Sequence, residues 1–426
     1  MIRKIISLAL PALFAAAASA ADIAPSSVNV RFESPQAADS ILSLRPDLKL
    51  ERIIPAAPNP ELERRHREAG LHLWFKASTS GREEALREAA ALRKVKGVRA
   101  AAPASFIRIP RPQPFAAGTP QSQPAKIAAR SAEATVNDPL YHYQWHYSNP
   151  DYANIDLEKA WDLEKGNRNV VVAVMDGAVE YTHPDLAANC WVNEAELNGL
   201  PGVDDDGNGY VDDIHGLRLF PDNGFADHAT HIAGTIAAVN GNATGVCGIA
   251  GGNGRDTGVR VMSIAVSSES DSEFVNDADL LRGFVYAADN GAVIASNSWA
   301  DFDPVSSLKV DAINYFIRNA GKFKGSPLNG GLVVFAAANE NSTDAPSPIN
   351  SVDIDRNSVL IVGAVSAKRV KASFSNYGTW VDIAAPGGGF DGKGIYTITG
   401  IRLDQPREIL NPGLYIIDGR KVHICR

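Results

Sequence analysis

Between Val170 and Val365 the chain alternates short apolar runs with segments of helical periodicity. A continuous apolar run is typical of a strand that is covered on both faces. Strands that alternate with helices form a parallel sheet with helices on both of its faces. The apolar runs lie at 170–175, 259–264, 292–296, 332–338 and 359–365, and the helical segments at 229–239, 277–290 and 308–320. We therefore predict an α/β domain over 137–400, with its functional site at the carboxyl ends of the strands.

The residues before this domain predict a second, smaller α/β unit over 21–110. Residues 28–32, 71–75 and 98–103 have the pattern of strands, and 82–93 have that of an amphipathic helix. Pro, Gln and Ala then dominate 111–136, a composition that predicts a linker. At the other end, a tail over 401–426 contains Asp418-Gly419, a pair that suits the turn of a β-hairpin.

The first twenty residues have the organisation of an export signal. Arg3 and Lys4 precede the apolar run 5–18, and Ala18-Ser19-Ala20 matches a small-residue cleavage site. A secreted, periplasmic or cell-surface product that begins near Ala21 is the prediction, and an N-terminal membrane anchor is the alternative. The rest of the sequence has no apolar run long enough to cross a bilayer, so no stable membrane insertion is expected.

Composition excludes several other classes of protein. Hydrophobic residues make up 45% of the chain and charged residues 21%, values that are typical of globular proteins and not of disordered ones. The net charge of -8 gives no nucleic-acid footprint. Three cysteines are too few and too scattered for a disulfide scaffold or a cysteine zinc site.

Three polar residues follow or open predicted elements at the expected functional edge of the sheet. Asp176 and Asn339 each come directly after an apolar run, and His228 opens a helical segment. An aspartate that orients an imidazole, a histidine base and an amide donor for an oxyanion make up most of an acyl-transfer site. Taken singly, each residue also fits a helix cap or a turn.

The sequence around these residues resembles that of subtilisin-like serine proteases over roughly 137–394. The matching segments are Val172-Ala-Val-Met-Asp-Gly, His183-Pro-Asp-Leu, Asp227-His-Ala-Thr-His-Ile-Ala-Gly-Thr, Ala337-Ala-Asn-Glu, Phe374-Ser-Asn-Tyr-Gly and Ala384-Ala-Pro-Gly. The resemblance implies a subtilisin-like fold and a secreted endopeptidase with a polypeptide substrate or inhibitor in its cleft. It also implies that the unit before the linker is a propeptide, which acts as folding chaperone and inhibitor.

The same resemblance implies a role for each site residue. Asp176 is expected to orient the base His228, and Asn339 to donate to the oxyanion. The segment Ser298, Trp299 and Ala300 is expected to pair with the substrate backbone and to line the pocket for the side chain before the scissile bond. His231 lies one helical turn after His228 without the intervening glutamate and spacing of a zinc motif, so we interpret it as a buried neighbour of the base rather than a metal ligand.

An acidic segment, Asp204-Asp-Asp-Gly-Asn-Gly-Tyr-Val-Asp-Asp, predicts a structural calcium ion. Oxygen ligands at alternate residues and a glycine at the sixth position are typical of calcium loops, although the glutamate of an EF-hand is missing from position twelve. The predicted ligands are Asp204, Asp206, Asn208, the Tyr210 carbonyl and Asp212. Related proteases bind calcium with similar loops, and a solvated acidic loop is the alternative.

The sequence departs from the family pattern in two ways. Alanine replaces the usual glycine at Ala178, Ala229, Ala300 and Ala338, which is harmless where φ is negative and costly where φ is positive. The serine block that normally supplies the nucleophile is absent, and Ser375 is the last serine. We therefore expect the C-terminal part of the domain to be missing and the chain as given to be inactive. The tail after it weakly resembles the sorting tails of secreted Bacteroidetes proteins.

Two hypotheses remain open on the sequence alone. One is a serine endopeptidase, and the other is a non-catalytic or truncated product that binds peptides in the remnant cleft.

Overall fold

The computed structural model describes residues 26–108, 136–150, 152–220, 224–267, 274–300, 306–323, 325–349 and 351–387, together with four short strands after residue 394. The predicted signal peptide and Asp418-Gly419 lie outside the described residues, as does the predicted linker except for Val136. None of the described helices is long and apolar enough to cross a membrane.

The N-terminal unit is built on a four-stranded antiparallel sheet in the order β2-β3-β1-β4. A fifth strand follows in the sequence and is not part of this sheet. Its elements are β1 (Ser27–Phe32), α1 (Pro35–Leu44), β2 (Leu50–Arg52), α2 (Pro60–Glu68), β3 (Trp74–Ser78), α3 (Arg82–Leu92), β4 (Val98–Pro103) and β5 (Phe106–Arg108). The strand predicted over 71–75 in fact begins at Trp74. Gly70, with φ +73°, starts a 3-10 turn over Leu71–Leu73 that delays it.

The larger domain is built on a seven-stranded sheet in which every neighbouring pair is parallel. The strand order is β13-β12-β11-β10-β6-β8-β7, which confirms the predicted α/β fold. The strands from β6 to β13, including β9 outside this sheet, are β6 (Val171–Asp176), β7 (Gly216–Arg218), β8 (Arg260–Ala265), β9 (Phe274–Asn276), β10 (Ile294–Asn297), β11 (Leu332–Ala336), β12 (Val359–Val365) and β13 (Ile383–Pro386).

Helices cover both faces of this sheet. The helices are α4 (Trp145–Ser148), α5 (Leu157–Trp161), α6 (Glu194–Leu197), α7 (Asp227–Ala237), α8 (Asp277–Asp289) and α9 (Ser307–Asn319). On one face, α7 packs on β6 and β8 through Ala229, Ala233 and Ala237, three small buried residues at a spacing of four. Small residues let the helix approach the strands closely. On the other face, α8 and α9 form the main core with residues such as Met175, Phe284 and Phe316.

The N-terminal unit packs against α8 and α9, and its Ile53, Leu71 and Trp74 join their core. Arg31 and the Trp74 indole both donate to Asp311, at 2.7 and 2.9 Å. The strand β5 pairs antiparallel with β9, with Ile107 opposite Val275.

Four further strands follow: β14 (Ile395–Thr397), β15 (Arg402–Leu403), β16 (Gly413–Ile417) and β17 (Arg420–Ile424). The antiparallel pairing of β16 with β17 agrees with the predicted hairpin.

Candidate active site

The carboxyl end of β6 positions Asp176 beside the start of α7. Asp176 is the last residue of the strand and is 1% exposed. One carboxylate oxygen accepts from the backbone N–H of Gly177 at 2.7 Å, and the other accepts from Nδ1 of His228 at 2.9 Å. The Ala226 N–H donates to the Ala178 carbonyl at 2.7 Å and ties the start of α7 to the segment after β6. The structure therefore brings together the first two predicted site residues.

His228 lies in the first turn of α7, with a quarter of its side chain exposed. Because Nδ1 faces Asp176, a neutral ring carries its proton there and presents a basic Nε2 at the other edge. This is the arrangement in which imidazole accepts a proton from a hydroxyl nucleophile.

His231 is exposed rather than buried as expected, because it faces away from the Ala229, Ala233 and Ala237 stripe of α7. No cluster of metal-ligating side chains in the described part of the chain includes it.

Asn339 lies on an exposed loop three residues beyond β11, also at the carboxyl edge of the sheet. Asn376 holds this loop: its side-chain oxygen accepts from the N–H groups of Glu340 and Ser342 at 2.9 and 3.0 Å. Its amide nitrogen donates to the Glu340 carboxylate at 3.1 Å, which in turn accepts from the Asn339 N–H at 2.9 Å. Sequence reasoning missed Asn376 and Glu340 as supports of the loop, although both lie in the segments that resemble the family.

The predicted substrate segment lies directly after β10, between the ends of β6 and β11. Ser298 and Ala300 are half-buried at the edge of the sheet. Trp299 is 2% exposed, and its ring packs edge-on against Phe335 with centroids 5.2 Å apart. Trp299 thus belongs to the core that supports the edge.

One of the four alanine substitutions has the geometry that makes it costly. Ala338 has φ +75°, in the left-handed region where alanine is disfavoured. Ala178, Ala229 and Ala300 lie outside that region.

Ser375 occupies a structural position. It is 1% exposed, and its hydroxyl accepts from the Ala364 N–H at 2.9 Å and donates to the Asn376 carbonyl at 3.0 Å. Within the residues that the structure describes, no serine or threonine hydroxyl hydrogen-bonds to His228.

The acidic loop is defined as residues 204–213. The carboxylates that lie together at this loop differ from the set predicted by sequence spacing. Carboxylate oxygens of Glu196, Asp206 and Asp213 all lie within 4.8 Å of one another. Burial is the main cause that raises the pKa of both Asp206 and Asp213, and neighbouring carboxylates add to it. Of the five predicted ligands, only Asp206 belongs to this cluster.

The remaining predicted ligands make hydrogen bonds that shape the acidic loop. Asp204 accepts from the N–H groups of Asn208 and Gly209 at 3.0 and 2.9 Å. Asp212 accepts from the Gly202 N–H at 3.0 Å, and the Tyr210 N–H donates to the side chain of Asn208 at 2.8 Å.

Comparison with known proteins matches this chain to proteases. A model of the peptidase S8, or subtilase, family matches residues 167–408. The chain is 32% identical over 272 residues to the thermophilic serine proteinase of Bacillus sp. (strain AK1), which covers 64% of this chain and 55% of that protein. It is 31% identical over 255 residues to thermitase of Thermoactinomyces vulgaris, which covers 59% of this chain and 74% of thermitase.

The chain spans about half the length of the Bacillus proteinase and of other curated relatives that it matches. Among solved structures, fervidolysin from Fervidobacterium pennivorans, a keratinolytic enzyme related to subtilisin, matches with a TM-score of 0.55 at 19% identity. The match covers 92% of this chain and 51% of fervidolysin, and it concerns the fold.

Proposed function

This chain belongs to the subtilase family, and from that premise we propose that it is a serine endopeptidase domain whose Asp176 and His228 form the acid–base part of the site. The hydrogen bond between His228 Nδ1 and Asp176 supports this proposal most strongly. We further propose that the 426-residue chain binds polypeptides in this cleft without cleaving them. Ser375 is its last serine, so the part of the chain where the family carries its nucleophile contains no serine.

In the proposed chemistry, each residue has a defined role. Asp176 fixes the tautomer of His228 and stabilises the imidazolium once it forms. His228 Nε2 takes the proton of a hydroxyl nucleophile and later returns it to the leaving amine. The exposed side-chain amide of Asn339 donates to the oxygen that becomes negative at the tetrahedral stage. These 426 residues provide the base and the donor, and no assignable nucleophile.

An extended peptide is the ligand that the strand edges favour. The chain's own β5 already adds to β9 as an antiparallel partner, with the fully buried Ile107 as its apolar anchor. Main-chain pairing of this kind is how exposed sheet edges bind peptides. β9 lies outside the seven-stranded sheet, and we propose that it forms one side of the cleft, so that the N-terminal unit acts as a propeptide by occupying this edge. The N-terminal sequence and the extracellular relatives support secretion as the location.

The experiment combines a covalent probe with a binding measurement. We expect a fluorophosphonate probe not to label the chain, and a fluorescent extended peptide to bind more tightly to Ile107→Asp than to the unchanged chain, because that change removes the anchor of β5. Stoichiometric labelling that His228→Ala abolishes would contradict the proposed inactivity. Absence of peptide binding in both proteins would contradict the proposed cleft.

The alternative is a non-catalytic pseudoprotease that binds peptides in the remnant cleft. It makes the same prediction for the probe and for the binding measurement, including a loss of peptide affinity when Ser298 is changed.

We also propose a structural calcium ion beside the acidic loop. Calcium takes oxygen ligands at about 2.3–2.6 Å, so ligands on opposite sides of the ion lie roughly 5 Å apart. Glu196, Asp206 and Asp213, all within 4.8 Å, fit that requirement, and two of them are buried carboxylates that a cation would stabilise. The set Asp204, Asp206, Asn208, Tyr210 and Asp212 is the alternative ligand set.

A further inference from the structure

The acidic loop also contacts the N-terminal unit, through the two glycines that flank Asn208. The backbone N–H of Asn59 donates to the carbonyl of Gly207 at 2.9 Å. Gly207 has φ +70°, and a Cβ built on it would lie 3.1 Å from the Asn59 nitrogen. Two residues further along, a Cβ built on Gly209 would lie 3.5 Å from the Cβ of Pro55. The loop therefore meets residues 55–59 with its bare glycine backbone.

The partner segment has a composition that suits such a contact. Residues 54–60 read Ile-Pro-Ala-Ala-Pro-Asn-Pro, and the three prolines restrict the chain before it docks. A segment that is already restricted loses less conformational entropy on binding. The Asn59 side chain caps α2 by accepting from the Glu61 N–H at 3.0 Å, and its backbone N–H separately donates to Gly207.

The inner side of the loop connects this contact to the rest of the domain. Asn208, between the two glycines, donates to Asp213 at 2.8 Å and to Asn290, just after α8, at 3.4 Å. The side chains of Ile54, Pro55 and His66 meet Asn208, Tyr210 and Tyr286 around a small internal void. The position of Gly207 is thus fixed from inside the larger domain.

We propose that residues 207–209 of the acidic loop form a docking surface that selects the chain's own N-terminal unit through residues 55–59. The inference rests on the proposed role of that unit as a docked partner, and it assigns to the acidic loop a function besides cation binding. We infer selection from the fit of the two backbones: a side chain at 207 crowds the Asn59 nitrogen and weakens the contact, and a partner without an N–H at 59 lacks its hydrogen bond.

The chain offers a matched pair of glycines for the test. Gly202 has φ +80°, and no atom lies within 4 Å of the position that a Cβ would occupy there, so Gly202→Ala meets left-handed strain without touching the N-terminal unit. Gly207→Ala meets similar strain and also brings a Cβ to 3.1 Å from the Asn59 nitrogen, so residue 59 has to shift by a few tenths of an ångström. Hydrogen exchange of the full chain, read over residues 53–59 and over α8 and α9, measures docking.

We expect Gly207→Ala to exchange about tenfold faster than Gly202→Ala in these segments, a difference equivalent to 1.4 kcal/mol. A second pair tests the donor itself. Asn59 has φ −67°, which proline adopts, so Asn59→Pro removes the N–H while Asn59→Ala keeps it, and both lose the cap. Faster exchange in the proline variant alone supports the proposal.

Equal exchange within each pair would overturn the docking surface. If residues 53–59, α8 and α9 are unprotected in the unchanged chain, the proposed docked partner fails instead, so the two failures are distinguishable.

Discussion

The Asp176–His228 pair depends on where a strand ends and where a helix begins. Asp176 is fixed because it closes a fully buried strand, and His228 because α7 begins beside that strand end. Asn339 is not placed by the end of a strand or the start of a helix: it lies on an exposed loop between Ala338 at φ +75° and Asn341 at φ +53°. Left-handed residues at a functional loop persist only where neighbours hold them, and here Asn376 does so.

Ala338→Gly is expected to stabilise the protein. Alanine in the left-handed region costs roughly 1–2 kcal/mol, whereas glycine adopts it freely, so after the greater entropy of unfolded glycine about 0.5–1 kcal/mol of stability should remain. Urea unfolding measures this change. Ala337→Gly is the control: Ala337 is 2% exposed and outside the left-handed region, so glycine there should destabilise. Loss of stability in both variants would contradict the strain at Ala338.

Among single residues, the sequence could predict those whose position is set by their own strand or helix. It could not predict those whose role depends on a contact between two loops. Asp176 and His228 follow from a strand end and a helix start, and the structure joins them. Asn376 could not be predicted as a support for Glu340, because their contact spans 36 positions and depends on how two loops meet. The effect of alanine at 338 depended on a φ angle that no pattern gives.

Among the elements, long apolar runs were predictable and short or irregular segments were not. The five predicted strands of the large sheet and its three main helices are present, within a few residues of their expected ends. The place of β6 between β10 and β8 is a property of the connections and could not be predicted. The three-residue strand β9 is too short for a pattern, so its pairing with β5 was missed.

The acidic loop shows the same limit for a cluster of carboxylates. Alternate-residue spacing predicts ligands within 204–212, which stays a prediction; the carboxylate that lies with Asp206 and Asp213 comes from Glu196 in α6 and could not be found from that spacing. Glu196 also accepts from the N–H groups of Asp205 and Asp212, at 2.7 and 2.9 Å, and so organises the loop from outside it.

Calcium should raise the melting temperature through this cluster. A ligand that binds only the folded state stabilises it by about 2.7 kcal/mol at a hundredfold excess over Kd. Glu196→Gln with Asp213→Asn, which changes only the cluster, should abolish the response to millimolar calcium. Asp204→Asn with Asp212→Asn, which changes only the sequence-spaced set, should retain it. The reverse result would assign the ion to the sequence-spaced ligands, and a response that survives in both double variants would exclude the acidic loop as the site.

For the whole molecule, the contact between the N-terminal unit and α8 buries a carboxylate. Asp277 is 1% exposed, and its oxygens accept from Asn29 at 2.6 Å and from Ser105 at 3.1 Å, both residues of the N-terminal unit. Burial raises the pKa of Asp277 to about 6, although the nearby Lys309 charge opposes that shift. Release of the unit would hydrate this carboxylate and return its pKa toward the ordinary value of 3.8.

Docking of the N-terminal unit should therefore weaken as the pH rises. The docked state has the higher pKa, so it holds a proton that the released state lacks between pH 3.8 and about 6. This contribution to docking is greatest below that window, falls as the pH rises through it, and is lost above it. From these two pKa values we expect docking to be about tenfold stronger at pH 5 than at pH 7.5.

Asp277→Asn should remove this pH dependence and make docking at pH 7.5 at least as strong as in the unchanged chain, because the amide fills the same space without a charge to desolvate. Hydrogen-exchange protection of residues 53–59, α8 and α9, corrected for the intrinsic exchange rate at each pH, measures the effect. Asp162→Asn, on an exposed residue, is the control and should keep the dependence of the unchanged chain. If Asp277→Asn keeps it as well, another group at the interface controls the response to pH.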